Sequence, residues 1–254
     1  YTAYTGMVNE QNRMDIMTNN LANASTVGYK KEGSTSQSFD DVLTVKIKDQ
    51  SVGMRNVQRL GVKNPGVKIG ENYTDYSQGS FRITGNTYDL ALSGEGFFAI
   101  EFTNKAGETD TKYTRAGQFT LNKDGYLVTE EGDYVLDTQN RRIRLNTLID
   151  SSITDDGTIY QNGQAVAKIQ VTDFEDYDYL EKYGETYYQP IQGAKTIAAK
   201  AQVKSGYLEM ANVQIVSEMV NLISITRAYE SNQKVVQTID DTLDVAVNQI
   251  GRVQ

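Results

Sequence analysis

At 254 residues the chain can form one large domain or two modest ones with a real core, and it contains no Cys, no His and no Trp. That absence excludes His or Cys metal cages, a Cys nucleophile, a His general base and any disulfide. A formal net charge of −8 argues against nucleic acid as a partner, because such binding depends on Lys and Arg neutralising phosphates.

No stretch approaches the roughly 20 consecutive apolar residues of a membrane span. The first residues also lack the charged-then-apolar order of a cleaved export signal. The expectation is a chain that stays in the cytoplasm or leaves by a route needing no such signal. It does not open on Met.

The first element is a helix over residues 1 to about 24. Ala3, Met7, Met14, Met17 and Leu21 share one helical face, which Glu10 breaks. It ends in "NNLANASTVGYKK", where Asn19, Asn20, Asn23 and Thr26 offer short polar side chains that compete for backbone hydrogen bonds. Gly28 then suits a turn with positive φ, and Tyr29 follows it. The chain from 30 to 80 is polar and weakly patterned, and is assigned as extended connector, as is 190–205.

Between 81 and 189 the pattern is β. Apolar runs such as "FFAIEF" and "AKIQVTDF" alternate with Asp124-Gly125, Asp156-Gly157 and Asn162-Gly163, the strongest short-range hairpin signals. An antiparallel, hairpin-built β domain is expected there. The last element begins with Asn212 as candidate N-cap and meets no Pro or Gly before Gly251, which predicts a helix of roughly 55 Å. Its stripe of Ile215, Met219, Leu222, Thr226, Tyr229, Gln233 and Val236 steps by four and three as a coiled-coil seam does. Ile239, Leu243, Ala246 and Ile250 continue it, and Val216, Val220 and Ile223 widen it.

The fold expected is therefore α+β, with long N- and C-terminal helices forming a coiled-coil-like pair around the β domain. The terminal helical domain takes 1–29 and 206–254. A helix of roughly 35 Å at the start covers only part of the longer stripe at the end. The surplus apolar surface calls for further copies to bury it.

Other motif-like stretches carry little. Gly94 and Gly96 lead into a strand and not into a helix N-terminus, as a phosphate cradle requires. Glu130-Glu131 and Asp155-Asp156 sit beside turns and face opposite ways on a strand, unlike a hydrolase's carboxylate pair. Asp240, Asp241 and Asp244 lie on a helix without the loop chemistry of a calcium site. No catalytic residue, metal or cofactor is assigned. On texture alone, a secreted β-domain adhesin or carbohydrate-binding module is the alternative, with a carboxylate hydrolase behind it.

"NNLANASTVGYKK" resembles the junction motif of the flagellar axial proteins, the rod and hook subunits. "SEMVNLISITRAYESNQKVVQTIDDTLDVAVNQIG" is similar to the same family's terminal helix. "SQGSFRITGNTYDLALSGEGFFAI" and "YTRAGQFTLNKDGYLVTEEGDYVL" resemble its shared β domain. Hook proteins of the family carry a further outer domain and the shortest rod subunits lack most of the β domain. A chain of this size therefore looks like the rod proteins of the distal type or their proximal relative. Family members begin a few residues earlier, so a truncated or processed start is expected.

The resemblance implies a structural subunit of the basal-body rod, not an enzyme, stacking helically into a hollow shaft that carries torque from motor to hook. It implies a location in the basal body, outside the cytoplasmic membrane, reached through the flagellar export apparatus without a cleaved signal. Implied partners are further copies of the chain, neighbouring rod and hook subunits, that apparatus and the bushing rings, with no nucleic acid and no small-molecule substrate. The stripe residues become the assembly interface. Asn19, Asn20, Asn23, Thr26, Gly28 and Tyr29 become the helix-exit junction.

Overall fold

The computed structural model describes residues 2–47, 57–104 and 107–250. They form two compact units, between which the chain passes four times. A helical unit takes Tyr1–Leu21, Glu32–Asp75 and Gln214–Gln254, and a β unit takes Ala22–Lys31 and Tyr76–Val213.

In the helical unit α1 spans Thr2–Ala22 and buries Asn9, Ile16 and Asn20. Their spacing of seven and four places them on one face, yet two of the three are polar, so this face is built for hydrogen bonds. Asn9 Oδ1 accepts from Ser36 Oγ at 3.1 Å. Asn20 grips the backbone of Glu32 twice, donating from Nδ2 to the carbonyl at 2.8 Å and accepting the N–H on Oδ1 at 2.9 Å. Both partners lie on β1 (Glu32–Ser38). Two further strands, β2 (Val42–Ile47) and β3 (Val57–Lys63), pair antiparallel with each other, and β4 (Val67–Thr74) pairs antiparallel with β1. The stretch read as connector thus contains two strand pairs.

The β unit adds β5 (Phe81–Ile83), β6 (Leu90–Ser93), β7 (Phe97–Thr103), β8 (Thr109–Thr114), β9 (Phe119–Leu121), β10 (Leu127–Thr129), β11 (Tyr134–Val135), β12 (Ser151–Ile153), β13 (Thr158–Gln161), β14 (Gln164–Lys168), β15 (Val171–Phe174), β16 (Leu180–Tyr183), β17 (Tyr187–Pro190), β18 (Thr196–Ala198), β19 (Gln202–Ser205) and β20 (Tyr207–Glu209). Its main sheet has nine strands and runs β16-β17-β8-β7-β11-β10-β9, with β15 joined to β7 and β18 to β15. Around it lie β12-β13-β14 and the pairs β19-β6 and β20-β5.

Strand β7 explains the unbroken run "FFAI". Phe98 belongs to a core with Leu90, Leu92, Phe119, Leu127, Ile143 and Ile159, whereas Phe97 and Ala99 belong to a second with Tyr113, Phe174 and Tyr188. Successive side chains point to opposite faces, and both faces are buried. The three dipeptides sit at hairpin turns: Gly125 between β9 and β10, Gly157 between β12 and β13, and Asn162-Gly163 between β13 and β14. Asn162 and Gly163 have φ of 51° and 75°, the left-handed pair that a two-residue hairpin requires.

The last helix, α2, spans Ile215–Val245 and passes into a π-helical turn over Ala246–Ile250. Gln214, not Asn212, occupies its N-cap, without a side-chain capping bond. The α+β composition stands, but the coiled-coil-like pair does not: among the described residues no continuous seam joins α1 to α2. The approaches are isolated ones, such as Thr226 Oγ1 at 3.9 Å from Met14 Sδ. Two of the three buried positions of α1 are Asn side chains spent on β1, and its close approaches to α2, Met14 to Thr226 and Gly6 to Asn232, meet polar side chains and not an apolar seam.

Several tyrosines of the β unit are held protonated. Burial first, then the Asp133 carboxylate 2.9 Å away, push the Tyr187 hydroxyl above the ordinary tyrosine range, while Thr129 opposes. Burial and Asp173, at 2.7 Å, do the same to Tyr177. The folded chain holds these protons more tightly than the unfolded chain. Their stabilisation is therefore complete below about pH 10, the unfolded value, and is lost as pH rises beyond it. Taking the chain from pH 9 to 12 is expected to abolish the near-ultraviolet dichroism of the β unit as tyrosinate absorbance grows. Full tyrosinate absorbance with unchanged dichroism would contradict it.

Candidate functional site

The chain leaves α1 at Ala22 and turns through residues 23 to 28. Thr26 N–H donates to the carbonyl of Asn23 at 3.1 Å, and Thr26 Oγ1 donates to Asn23 Oδ1 at 3.1 Å. Asn23 Nδ2 reaches the Glu185 carboxylate at 2.8 Å. Gly28 has φ of 69°, and its N–H donates to the Glu209 carbonyl at 2.8 Å. A Cβ on Gly28 would stand 2.3 Å from Ala116 N, so glycine is demanded both by dihedral and by space.

Beyond Gly28 the chain is interred. Tyr29 is fully buried, with Lys182 Nζ 4.3 Å from its ring centre. Lys30 is also buried; its Nζ donates to the Ser77 carbonyl and to Glu209 Oε1, both at 2.7 Å. Glu209, fully buried at the end of β20, further accepts the Gly79 N–H on Oε1 at 2.9 Å and Arg115 Nη1 on Oε2 at 3.2 Å. One carboxylate thus lies between two buried cations, with a backbone amide completing its coordination. A buried charge is tolerable only with such pairing.

Asn212 closes the arrangement. Its Oδ1 accepts the Lys31 N–H at 2.7 Å, and its Nδ2 donates to the Ser77 carbonyl and hydroxyl at 3.2 and 3.0 Å. Lys31, Ser77 and Asn212 each lie within two residues of a point where the chain passes out of the β unit. The cluster is a neck, in which the segments leaving the unit are tied to one another. What it can do is mechanical: the segments carrying Lys30, Gly79 and Glu209 cannot slide past one another without breaking a bond to the buried Glu209 carboxylate.

Of the junction residues inferred from sequence, Asn20 clamps Glu32, Asn23 engages Glu185, and Gly28 and Tyr29 enter the neck, while Asn19 is half-buried on α1. Of the stripe, Ala3, Met7, Met14, Met17 and Leu21 are half-buried, as are Leu222, Thr226, Tyr229 and Val236. Ile215, Met219, Ile239, Leu243 and Ala246 are exposed, and only the backbone of Ile250 is described. Val216, Val220 and Ile223 are exposed as well, so α2 presents an apolar face without cover in the single chain. Asn212 was read from sequence only as a helix N-cap, and Lys30, Arg115 and Glu209 were given no role. Their only signal is a lone charge within an apolar or strand-like setting, as in "YLEM" and "YTRAGQ".

Both acidic pairs lie exposed at turns between paired strands, Glu130 and Glu131 between β10 and β11, and Asp155 and Asp156 between β12 and β13. Asp156 is engaged by Thr154 and Thr158 of its own turn, whose hydrogen bonds keep its carboxyl well below the usual range. Among the described residues no group of three or more His, Cys, Asp or Glu is disposed to hold a metal, and no helix is long and apolar enough to cross a membrane.

Three stretches match known families. Residues 1–30 match the family described as flagella basal body rod protein, 91–163 the flagellar hook protein FlgE/F/G D1 domain, and 204–250 the flagellar basal body rod FlgEFG protein C-terminal. The chain is 34% identical to the flagellar basal-body rod protein FlgG of Bacillus subtilis, over 98% of this chain and 97% of that one. It is also 34% identical to FlgG of Caulobacter vibrioides, over 95% of each. Its identity to the rod protein FlgF of the same organism is 31%, over 100% of this chain and 98% of that one.

Proposed function

Because the chain belongs to the flagellar basal-body rod protein family, we propose that it stacks with further copies into a shaft that carries torque from the motor to the hook. It is a structural subunit of the basal-body rod, and its place is the flagellar basal body among neighbouring basal-body subunits. The observation that carries the shaft reading is the apolar face of α2. Ile215, Val216, Met219, Val220, Ile223, Ile239 and Leu243 stand about half exposed or more on one chain. A surface of that kind is stable in water only when something covers it, and a helically repeated neighbour supplies the cover at every position.

The neck supports the same reading. A subunit under load must not let its β unit slip against the segments that connect it. The ties through Glu209 and Asn212 resist that slip. Export through the flagellum's own apparatus and contact with the bushing rings belong to this proposal, as does the position outside the cytoplasmic membrane. The reaction chemistry of an enzyme has no part in it, and no observation favours an adhesin.

Deleting the gene and imaging flagellar bases by electron cryotomography tests the proposal. Basal bodies that stop short of a complete rod, with no hook beyond, are expected, and expression in trans should restore both. Intact rods and hooks in the deletion strain would overturn it.

A further inference from the structure

The β unit carries two unlike patches. Strand β16 ends the main sheet on one side. Around it Asp176, Asp178 and Glu181 are exposed, together with Tyr179 and Tyr183. Neighbouring charges there are already engaged, Glu175 by Lys195 at 3.2 Å and Glu185 by Asn23. Lys182 lies over Tyr29. Lys195 also lines the pocket that Asp176 and Tyr179 share, and Lys112 Nζ stands 3.6 Å from the Tyr183 ring centre, whereas Asp178 and Glu181 enter no ion pair among the described residues.

The sheet ends on its other side in the β9–β10 hairpin. At its tip Lys123 is exposed, and Arg144 bridges to Tyr126 beside it, its guanidinium donating to the Asp124 carbonyl at 3.2 Å. The two cations line a groove of about 650 Å³ with Asn146, Thr147 and Val166. Asp124 is the acid of the same turn and offsets one of them. Next to the groove, Leu148 is 93% exposed, the most exposed large apolar side chain among the described residues.

We propose that these patches are two halves of one contact, and that the β unit of each copy docks its acidic, tyrosine-bearing β16 edge against the Lys123–Arg144 groove of the next copy. The occupant is a second copy because the complement of each patch is on the same chain. Carboxylates meet cations, and Leu148 gains aromatic cover from Tyr179 and Tyr183. The acidic edge placed against itself would set carboxylates face to face, which is costly. The contact is therefore heterologous, and a heterologous contact repeats from copy to copy. The inference rests on the rod-subunit reading and adds to it a belt of β units.

The chain has no cysteine, so an introduced pair reports the contact cleanly. Full-length chain carrying Asp176→Cys and Thr147→Cys is expressed in the deletion strain, oxidised, and run without reductant. A ladder of dimers, trimers and larger species is expected, while each single-cysteine chain stays monomeric. Adding Asp178→Arg and Glu181→Arg should weaken the ladder about ten-fold or more, and adding Lys123→Glu and Arg144→Glu to those should bring it back. Dimers from a single-cysteine chain overturn the head-to-tail contact, as does failure of the charge swap to restore the ladder. Rods restored by the unaltered chain with no ladder from the cysteine pair overturn the contact alone. If the unaltered chain restores no rods, the rod reading falls and the contact with it.

Discussion

Glu209→Gln is expected to destabilise the full-length chain by about 3–5 kcal/mol, the largest single-residue loss short of emptying the core. The substitution is nearly isosteric and keeps an acceptor for the Gly79 N–H, so packing and that bond change little. What it removes is the negative charge between Lys30 Nζ, at 2.7 Å, and Arg115 Nη1, at 3.2 Å. Both cations are buried, and water cannot reach them to replace the carboxylate. Lys30→Met should cost less, because the carboxylate keeps Arg115 as its counter-charge. The exposed pair of Lys195 with Glu175, whose side chains are 77% and 63% accessible, sets the opposite scale. Lys195→Ala should change stability by no more than about 1 kcal/mol. Urea unfolding followed by tyrosine dichroism separates the three, since the chain has no Trp. Glu209→Gln behaving like Lys195→Ala would mean that the neck is not held by its charges.

The sequence disclosed this neck only in part. "NNLANASTVGYKK" marks the place where a helix gives way, because Asn and Gly act on the backbone within a few residues of themselves. The partner of Lys30 lies 179 residues away, and no local rule reaches that far. The hairpins at Asp124-Gly125, Asp156-Gly157 and Asn162-Gly163 were legible for the converse reason: the conformation of each turn is written in its own two residues.

The strand pairs between Glu32 and Thr74 were hidden because β1, "EGSTSQS", has no apolar alternation. Pairing with β4 and the hydrogen bonds it shares with Asn9 and Asn20 hold it, and context of this kind outweighs propensity. The coiled-coil expectation failed differently. A stripe repeating every three and four residues establishes that one face of α2 wants cover. It does not say which surface supplies it, and the polar inner positions of α1, Asn9 and Asn20, were the sign that α1 was otherwise engaged.

Leu243→Asp turns that distinction into a measurement. Leu243 is 57% exposed in the last turn of α2, so in the isolated chain an aspartate there meets water. Stability should change by no more than about 0.5 kcal/mol, as for other surface substitutions. If α2 is the surface on which copies pack, the same aspartate must be buried against apolar neighbours at every repeat of the shaft. A carboxylate desolvated without a partner is prohibitive there. Cells carrying only Leu243→Asp are therefore expected to export a normally folded chain and to lack a rod, a hook and swimming. Val216→Asp, at 77% exposure near the start of the helix, should do the same if the whole face is used, and should spare assembly if only the C-terminal turns are. Unimpaired swimming with both substitutions would remove the α2 face from the assembly, leaving the β units as the place where copies meet.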